Sequence, residues 1–377
     1  MPPRKLLFLT LNTFSSTGGI EKVCQVAGKA LSEIVAQGHG RYFHFALNDK
    51  ASDLAERYVN RSSFFPFSGQ KIRYAAAAVS RGLRCDLVVL SHIHLLPIGG
   101  LIKLLSPKTK VLLIAHGIEV WKPLPSWKTH LLRRLDAVLA VSEFTMQKML
   151  SFFGLEPKKC IVLNNCLDPY LQPDPLATQK AVALRKRFGL SQEDLVLFTL
   201  TRLKSTEQYK GYDQVIRCLP DVLTRYPNVK YLIAGKYDET EKQRLDQLIA
   251  DTGISDKVHF AGFVRDEEIP AYFSFADVYV MPSSGEGFGI VFIEALYYGK
   301  PVIAGNQDGS VDALNKGRFG LLVNPNDSAA LTSAILSVLK KPAEMIPSPA
   351  DVLAKFGYDT YRSQLAGIIN EKQNAVS

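Results

Sequence analysis

The sequence predicts an α/β protein built from two doubly wound parallel-sheet units that face each other across a cleft. Three observations predict it. Short apolar runs alternate with stretches of helical periodicity almost throughout the 377 residues, the pattern of a parallel sheet covered on both faces. The alternation breaks over Asp168–Gln179, where Pro169, Pro173, Asp174 and Pro175 read as a linker, and then resumes. A chain of this length, 47% apolar and 21% charged, has material for two cores and no compositional sign of disorder.

In the first unit, placed at residues 1–170, the strand-like runs are Leu6–Leu11, Tyr42–Leu47, Leu87–Leu90, Val111–Ala115, Ala137–Val141 and Ile161–Leu163. Between the first two, Ile20, Val23, Cys24, Ala27, Ala30, Leu31 and Ile34 recur at helical spacing. In the second unit, placed at 171–350, the runs are Leu195–Leu200, Lys230–Ala234, Val258–Phe260, Val278–Met281, Val302–Ala304 and Gly320–Val323. A second linker, Lys341–Pro349, carries three prolines and precedes a helical stretch around Val352–Ile369 in the closing segment 351–377.

Lys5–Leu11 is too short for the apolar part of a signal peptide and reads as a buried first strand. The longest apolar stretch, Leu95–Leu105, is broken by Pro97, Gly99, Gly100 and Lys103 and is too short to span a bilayer. The five cysteines, Cys24, Cys85, Cys160, Cys166 and Cys218, are odd in number and show no CxxC spacing. That argues against a disulfide framework or a zinc site and for a reducing compartment, hence a cytoplasmic location. The net charge of +9 is uneven: residues 1–170 carry +11 and the remainder −2. A basic first half suits an anionic partner, which could be a membrane surface, a diphosphate-bearing acceptor or a nucleic acid.

In doubly wound sheets, ligands bind beyond the carboxyl ends of the strands. Four segments there could carry chemistry. After the first strand, Gly18-Gly19 precedes a helix that opens near Ile20-Glu21. Paired glycines allow backbone amides to approach a phosphate or sugar at a helix N-terminus, and a turn needing positive φ would use the same residues. No GxGxxG is present, which counts against an ordinary NAD-binding unit. After Val111–Ala115 comes His116-Gly117-Ile118-Glu119, whose imidazole could donate to a sugar hydroxyl or simply close the strand. After Leu195–Leu200, Arg202 and Lys210 could neutralise a departing diphosphate, with Lys204 a competitor.

The fourth segment is the most specific. A glycine-rich loop, Ser283 to Phe288, follows the strand ending at Met281 and leads into a helix from near Gly289 to Gly299. The helix is almost entirely apolar, so it should be buried, and Glu294 is its one charged group. A buried carboxylate is costly unless something binds it, and paired ribose hydroxyls would supply two donors. Glu286 sits before the helix N-terminus, where the amides of Phe288, Gly289, Ile290 and Val291 could hold a diphosphate.

Together these residues resemble the retaining glycosyltransferases of family 4, a large group with the GT-B fold. The carrying motif is Glu286, seven residues, then Glu294, within Ser284-Gly285-Glu286-Gly287-Phe288-Gly289 and Glu294-Ala295-Leu296. Gly299–Ala304, Val141–Thr145, Gly18–Glu21 and His116-Gly117 are similar to the same family. The resemblance implies that Glu294 holds the nucleotide ribose and that Glu286 with the Phe288–Ile290 backbone positions the donor sugar. Arg202 and Lys210 would bind the diphosphate, and His116 would contact donor-sugar hydroxyls. Gly18 and Gly19 would lie near the diphosphate and the acceptor side. The base would rest on Gly262–Arg265, Val264 included, and the closing helix would complete the first unit. The Arg202–Lys210 spacing departs from the family by being longer, which leaves Lys204 in contention.

The resemblance further implies a nucleotide-sugar donor and a glycan or lipid-linked acceptor, with retention of anomeric configuration. No cofactor and no metal are expected, since no Asp-x-Asp motif occurs and the cations would stabilise the leaving group. His116–Trp121 and Asp308–Ala313 resemble members that use GDP-mannose, with UDP-glucose and other UDP-sugars the alternative. The basic first half fits peripheral attachment at the inner face of a membrane. Competing readings are an epimerase or a phosphorylase of the same fold, and a non-catalytic nucleic-acid-binding protein. The first lacks the Glu286/Glu294 arrangement, the second lacks a dedicated lysine, and the third leaves the Glu286/Glu294 loop unexplained, so no nucleic-acid partner is expected.

Overall fold

A computed structural model describes residues 3–374. The chain forms two compact units, Met1–Pro169 with Phe356–Ser377, and Tyr170–Lys355.

The first unit holds β1 (Lys5–Thr10), β2 (Arg41–Ala46), β3 (Phe64–Pro66), β4 (Leu87–Leu90), β5 (Lys110–Ala115), β6 (Ala137–Ala140) and β7 (Cys160–Val162). They form one parallel sheet in the order β3-β2-β1-β4-β5-β6-β7. All residues of β4 and β6 are buried, because helices cover both faces and the strands must be apolar on both sides. The edge strand β3 was not predicted. It is three residues long and ends in Pro66, a composition that an edge tolerates because a missing N–H there breaks no ladder.

The second unit holds β8 (Leu195–Leu200), β9 (Val229–Ala234), β10 (Val258–Gly262), β11 (Val278–Met281), β12 (Val302–Gly305) and β13 (Leu321–Val323). Their order is β10-β9-β8-β11-β12-β13, again all parallel. This is the doubly wound order of dinucleotide-binding folds. Its core gathers Leu197, Val215, Ile216, Leu219, Tyr231, Val280 and Ile303, among others, between sheet and helices.

The single closing helical stretch expected around Val352–Ile369 is two helices, Pro349–Phe356 and Tyr358–Asn374, separated at Gly357. The latter packs on the helix Gly19–Gln37 of the first unit. There the Tyr358 hydroxyl and Arg362 donate to Glu33 at 2.8 and 3.1 Å. Among the described residues no helix is long and apolar enough to cross a membrane. The five cysteines are all free and buried.

In each sheet the strand order reverses once, between β1 and β4 and between β8 and β11. Crevices at such switch points are where open α/β sheets take ligands. The loops that follow these four strands therefore line the two switch points.

Candidate active site

In the second unit, the loops after β8 and β11 interlock. The Ser284 N–H donates to the Tyr209 carbonyl at 2.9 Å, and the Ser283 hydroxyl accepts the Gly285 N–H at 3.1 Å. A side chain at Gly285 would collide with the Tyr209 ring, so glycine there permits the contact. The result is that Lys210, from the first loop, pairs with Glu286, from the second. Both side chains are about nine-tenths buried, at 11% and 13% exposure. The Lys210 ammonium also lies 5.2 Å from the Tyr209 ring centre, a cation–π contact.

Of the other two cations in the loop, Arg202 is 57% exposed and pairs with Glu207 at 3.1 Å. Lys204 is exposed and lies near Asp238. The structure thus brings Lys210, and neither Arg202 nor Lys204, to Glu286.

The helix predicted after the glycine-rich loop is Ile290–Tyr297, with Gly289 as its N-cap at φ +83 and Gly299 beyond its end at φ +68. Phe292, Ile293, Ala295 and Leu296 are buried, and so is Glu294 at 4% exposure. Its first amides, including that of Ile290, have no i→i−4 partner, although the Phe292 N–H donates to the Gly289 carbonyl at 3.0 Å. Phe288 is buried just before it. Val264 is buried just beyond β10, next to an exposed Phe263.

Asp308 fixes the backbone of Glu286. Its Oδ2 accepts the Glu286 N–H at 2.6 Å and its Oδ1 the Ser310 N–H at 2.9 Å, while the Glu286 carbonyl accepts the Gly309 N–H at 2.9 Å. Burial raises the Asp308 carboxyl from 3.8 to about 6, against the opposing pull of those amides. The folded chain therefore holds this proton to higher pH than the unfolded chain. The contribution of Asp308 to stability is greatest below its unfolded value and falls as pH rises through about 6, by roughly 3 kcal/mol in all. Asp308→Asn removes that slope. It also turns an amide NH₂ toward one backbone donor, at a cost of about 1–3 kcal/mol. The free-energy gap between wild type and variant should thus change by roughly 3 kcal/mol in favour of the variant from acid to neutral pH. A gap independent of pH in urea unfolding would contradict it.

In the first unit, the loop after β1 is held by Asp49, which is fully buried. Its carboxylate accepts the N–H groups of Thr13, Phe14 and Ser15 at 2.9, 2.5 and 2.9 Å. Burial raises its carboxyl and the three amides oppose that. These amides are therefore taken by the chain itself.

Gly18 and Gly19 do not form the positive-φ turn that was the alternative to a close approach to phosphate or sugar. Gly18 is extended, at φ 174, and Gly19 opens the helix. The Glu21 carboxylate, which accepts from Ser16 at 3.0 Å, lies beside Gly18. A carboxylate of the chain thus stands at this helix N-terminus, satisfying the preference for negative charge there. Gly19 faces open space.

His116 follows β5 and is 9% exposed. Its Nε2 lies 2.6 Å from the Ser91 carbonyl oxygen, and its backbone N–H donates to Glu119 at 2.6 Å. Since a carbonyl only accepts, Nε2 is the donor of that bond. The ring atom left over is Nδ1, buried and without a partner among the described residues. A ring nitrogen without its hydrogen accepts, so Nδ1 offers a lone pair when Nε2 carries the only N–H.

His92 and His94, which sequence reasoning missed, lie just after β4, and their rings are 4.5 Å apart. The signal was available, since His-x-His stands at the end of a strand that borders the switch point. Among the described residues no three His, Cys, Asp or Glu side chains gather as metal ligands.

Residues 183–356 match the model for glycosyl transferases group 1, and residues 17–170 match that for glycosyltransferase family 4. A GDP-mannose-dependent alpha-(1-6)-phosphatidylinositol monomannoside mannosyltransferase from Mycobacterium tuberculosis is 32% identical over 283 residues, 70% of each chain. A GDP-mannose-dependent monoacylated alpha-(1-6)-phosphatidylinositol monomannoside mannosyltransferase from Corynebacterium glutamicum is 27% identical over 281 residues, 70% of this chain and 71% of that one. The structure of Anabaena HepE in complex with UDP matches with a TM-score of 0.79 at 22% identity, over 97% of this chain and all of that one. The chain belongs to glycosyltransferase family 4 and has its GT-B fold of two Rossmann-like domains.

Proposed function

We propose that the protein transfers mannose from GDP-mannose to a glycan or lipid-linked acceptor, with retention of configuration and without a metal ion. The observation that carries the reading is the buried Lys210–Glu286 pair at the switch point, beside the helix that buries Glu294. Lys210 supplies positive charge where a diphosphate would depart, so that the transition state gains more than the ground state. Glu286 faces the donor sugar, and Glu294 takes the ribose hydroxyls. Arg202 swings from Glu207 to the diphosphate. Val264 backs the base. The leaving phosphate deprotonates the incoming hydroxyl on the same face of the sugar, so the new bond forms on the side from which the diphosphate leaves. GDP-mannose is favoured by the relatives whose names specify it.

Thermal unfolding in the presence of GDP-mannose, UDP-glucose or ADP-glucose, each with and without a chelator, tests this. GDP-mannose at a hundredfold excess over Kd should stabilise by about 2.7 kcal/mol. Glu294→Ala should abolish the shift, and the chelator should leave it intact. A shift with UDP-glucose alone would replace the donor, and loss of turnover in chelator would remove metal independence.

The same reading places the enzyme in the cytoplasm, on the inner face of an anionic membrane. The helices Leu96–Leu105 and Ser126–Arg133 adjoin so closely that a side chain at Gly100 would strike Leu131. Their outer surface exposes Leu104 at 62%, Leu105 at 57% and Trp127 at 55%, next to Lys128. Exposed apolar side chains flanked by cations suit an anionic bilayer. The protein should float with phosphatidylglycerol-containing vesicles at low salt, and Leu104→Ser with Trp127→Ser should weaken this at least tenfold. Equal recovery on purely zwitterionic vesicles would remove the proposal.

A further inference from the structure

The switch point of the first sheet carries two imidazoles whose open atoms are complementary. Ser91-His92-Ile93-His94 follows β4, and His116 follows β5, the neighbouring strand. The His116 Nε2–H is held by the Ser91 carbonyl at 2.6 Å, so the ring is locked against the residue that precedes His92. That leaves His116 Nδ1 as a buried acceptor with no partner among the described residues. An unsatisfied buried acceptor is rare in a folded protein and points to a group that arrives later.

His92 is fixed in the opposite sense. Its Nδ1 accepts the His94 N–H at 3.1 Å and caps the short turn Ile93–Leu95. In the neutral ring the hydrogen is therefore on Nε2, and that atom makes no hydrogen bond among the described residues. The ring is neutral near pH 7, because burial, then the neighbouring His116 and His94, lower its pKa from 6.5 to about 4. The side chain as a whole is only partly buried.

One open donor and one open acceptor on neighbouring strand ends suit a group that is both acceptor and donor. An alcohol is such a group: its oxygen accepts from His92 Nε2–H while its hydrogen goes to His116 Nδ1. A phosphate or carboxylate fits poorly, since it would meet the His116 lone pair. We propose that His92 and His116 form a clamp that holds one hydroxyl of the transferred sugar, which makes His92 a second sugar-binding residue. The proposal rests on the site being one of glycosyl transfer from a nucleotide sugar.

The test uses the full chain and the nucleotide sugar that the wild type turns over fastest, GDP-mannose or UDP-glucose. The measurement is hydrolysis of that donor without acceptor. His92→Asn keeps an oxygen where Nδ1 caps the turn, so it should fold, but it withdraws the donor from the place of Nε2. It should lower kcat/KM roughly ten- to a hundredfold. His92→Gln, whose amide can reach the place of Nε2, should recover part of that loss.

Combining His92→Asn with His116→Asn should cost much less than the product of the two single losses, because one hydroxyl is released by either. A series of monodeoxy donors should contain one on which the wild type and His92→Asn have equal rates. Unaltered hydrolysis in His92→Asn, or single losses that multiply in the double variant, would overturn the clamp while leaving the function reading in place. Absence of turnover of any nucleotide sugar by the wild type would defeat both.

Discussion

Lys210→Ala is expected to lower kcat/KM for the nucleotide sugar by roughly 10²- to 10³-fold, the usual cost of losing one preorganised group that stabilises developing negative charge. The ammonium is confined by Glu286 and by the Tyr209 ring, so it needs little reorganisation when the diphosphate departs. Alanine also strands Glu286 as an unpaired carboxylate at 13% exposure. Breaking a buried pair from one side costs about 3–5 kcal/mol, so the variant should unfold at lower urea as well. The two effects separate through Lys210→Met with Glu286→Gln. That double variant removes the stranded charge and should regain most of the stability, while kcat stays well below that of Glu286→Gln alone, the reference needed because Glu286 itself faces the donor sugar. Recovery of turnover along with stability would show that the lysine only balances a charge. Lys210→Arg should recover little, because a planar fork cannot take the place of a compact ammonium beneath an aromatic ring. Arg202→Ala should weaken donor binding far less, since Arg202 is more than half exposed and already paired with Glu207.

The contrast between Lys210 and Arg202 shows what a linear sequence can and cannot tell. The strands other than β3 were legible because each is a short apolar run, and in β4, β6, β11 and β12 every residue is buried. The Glu294 helix was legible for the same reason, with one carboxylate in an apolar run bracketed by Gly289 and Gly299. Both loops carrying Lys210 and Glu286 were found from their position after strands. Which cation meets Glu286 was not legible, because it depends on how the loop after β8 folds against another, with Lys210 and Glu286 76 residues apart. Asp49 and Asp308 were missed as organisers for a related reason. Each acts through backbone amides elsewhere, and an isolated Asp in a loop carries no periodic signal. The single-helix reading of Val352–Ile369 failed at Gly357, because its apolar spacing continues across the break.

Gly235→Ala should destabilise the second unit by roughly 3–5 kcal/mol and misplace the Lys210 loop. Gly235 ends β9 at φ +143, a conformation reserved in practice for glycine, and its N–H donates to the Gly262 carbonyl at 2.7 Å. A side chain there would land on the Thr201 carbonyl, with the Arg202 nitrogen close behind. Both obstacles are backbone, so no rotamer change relieves them. Strain at such a φ costs about 1–3 kcal/mol, and overpacking adds a similar amount. The chain's cheapest escape is to move Thr201–Arg202, the start of the loop that presents Lys210. Displacements of about 1 Å can cost a hundredfold in rate, so turnover of the folded fraction should fall too. Gly19→Ala is the matched control. Gly19 is helical, lacks positive φ and faces open space, so alanine there should be neutral or stabilising by about 0.4–1 kcal/mol. Urea unfolding of the two variants, with kcat measured well below each midpoint, decides the matter. Equal stability of both would mean that the β9 end and the β8 loop are not held by this close approach, and that the glycine at 235 is replaceable.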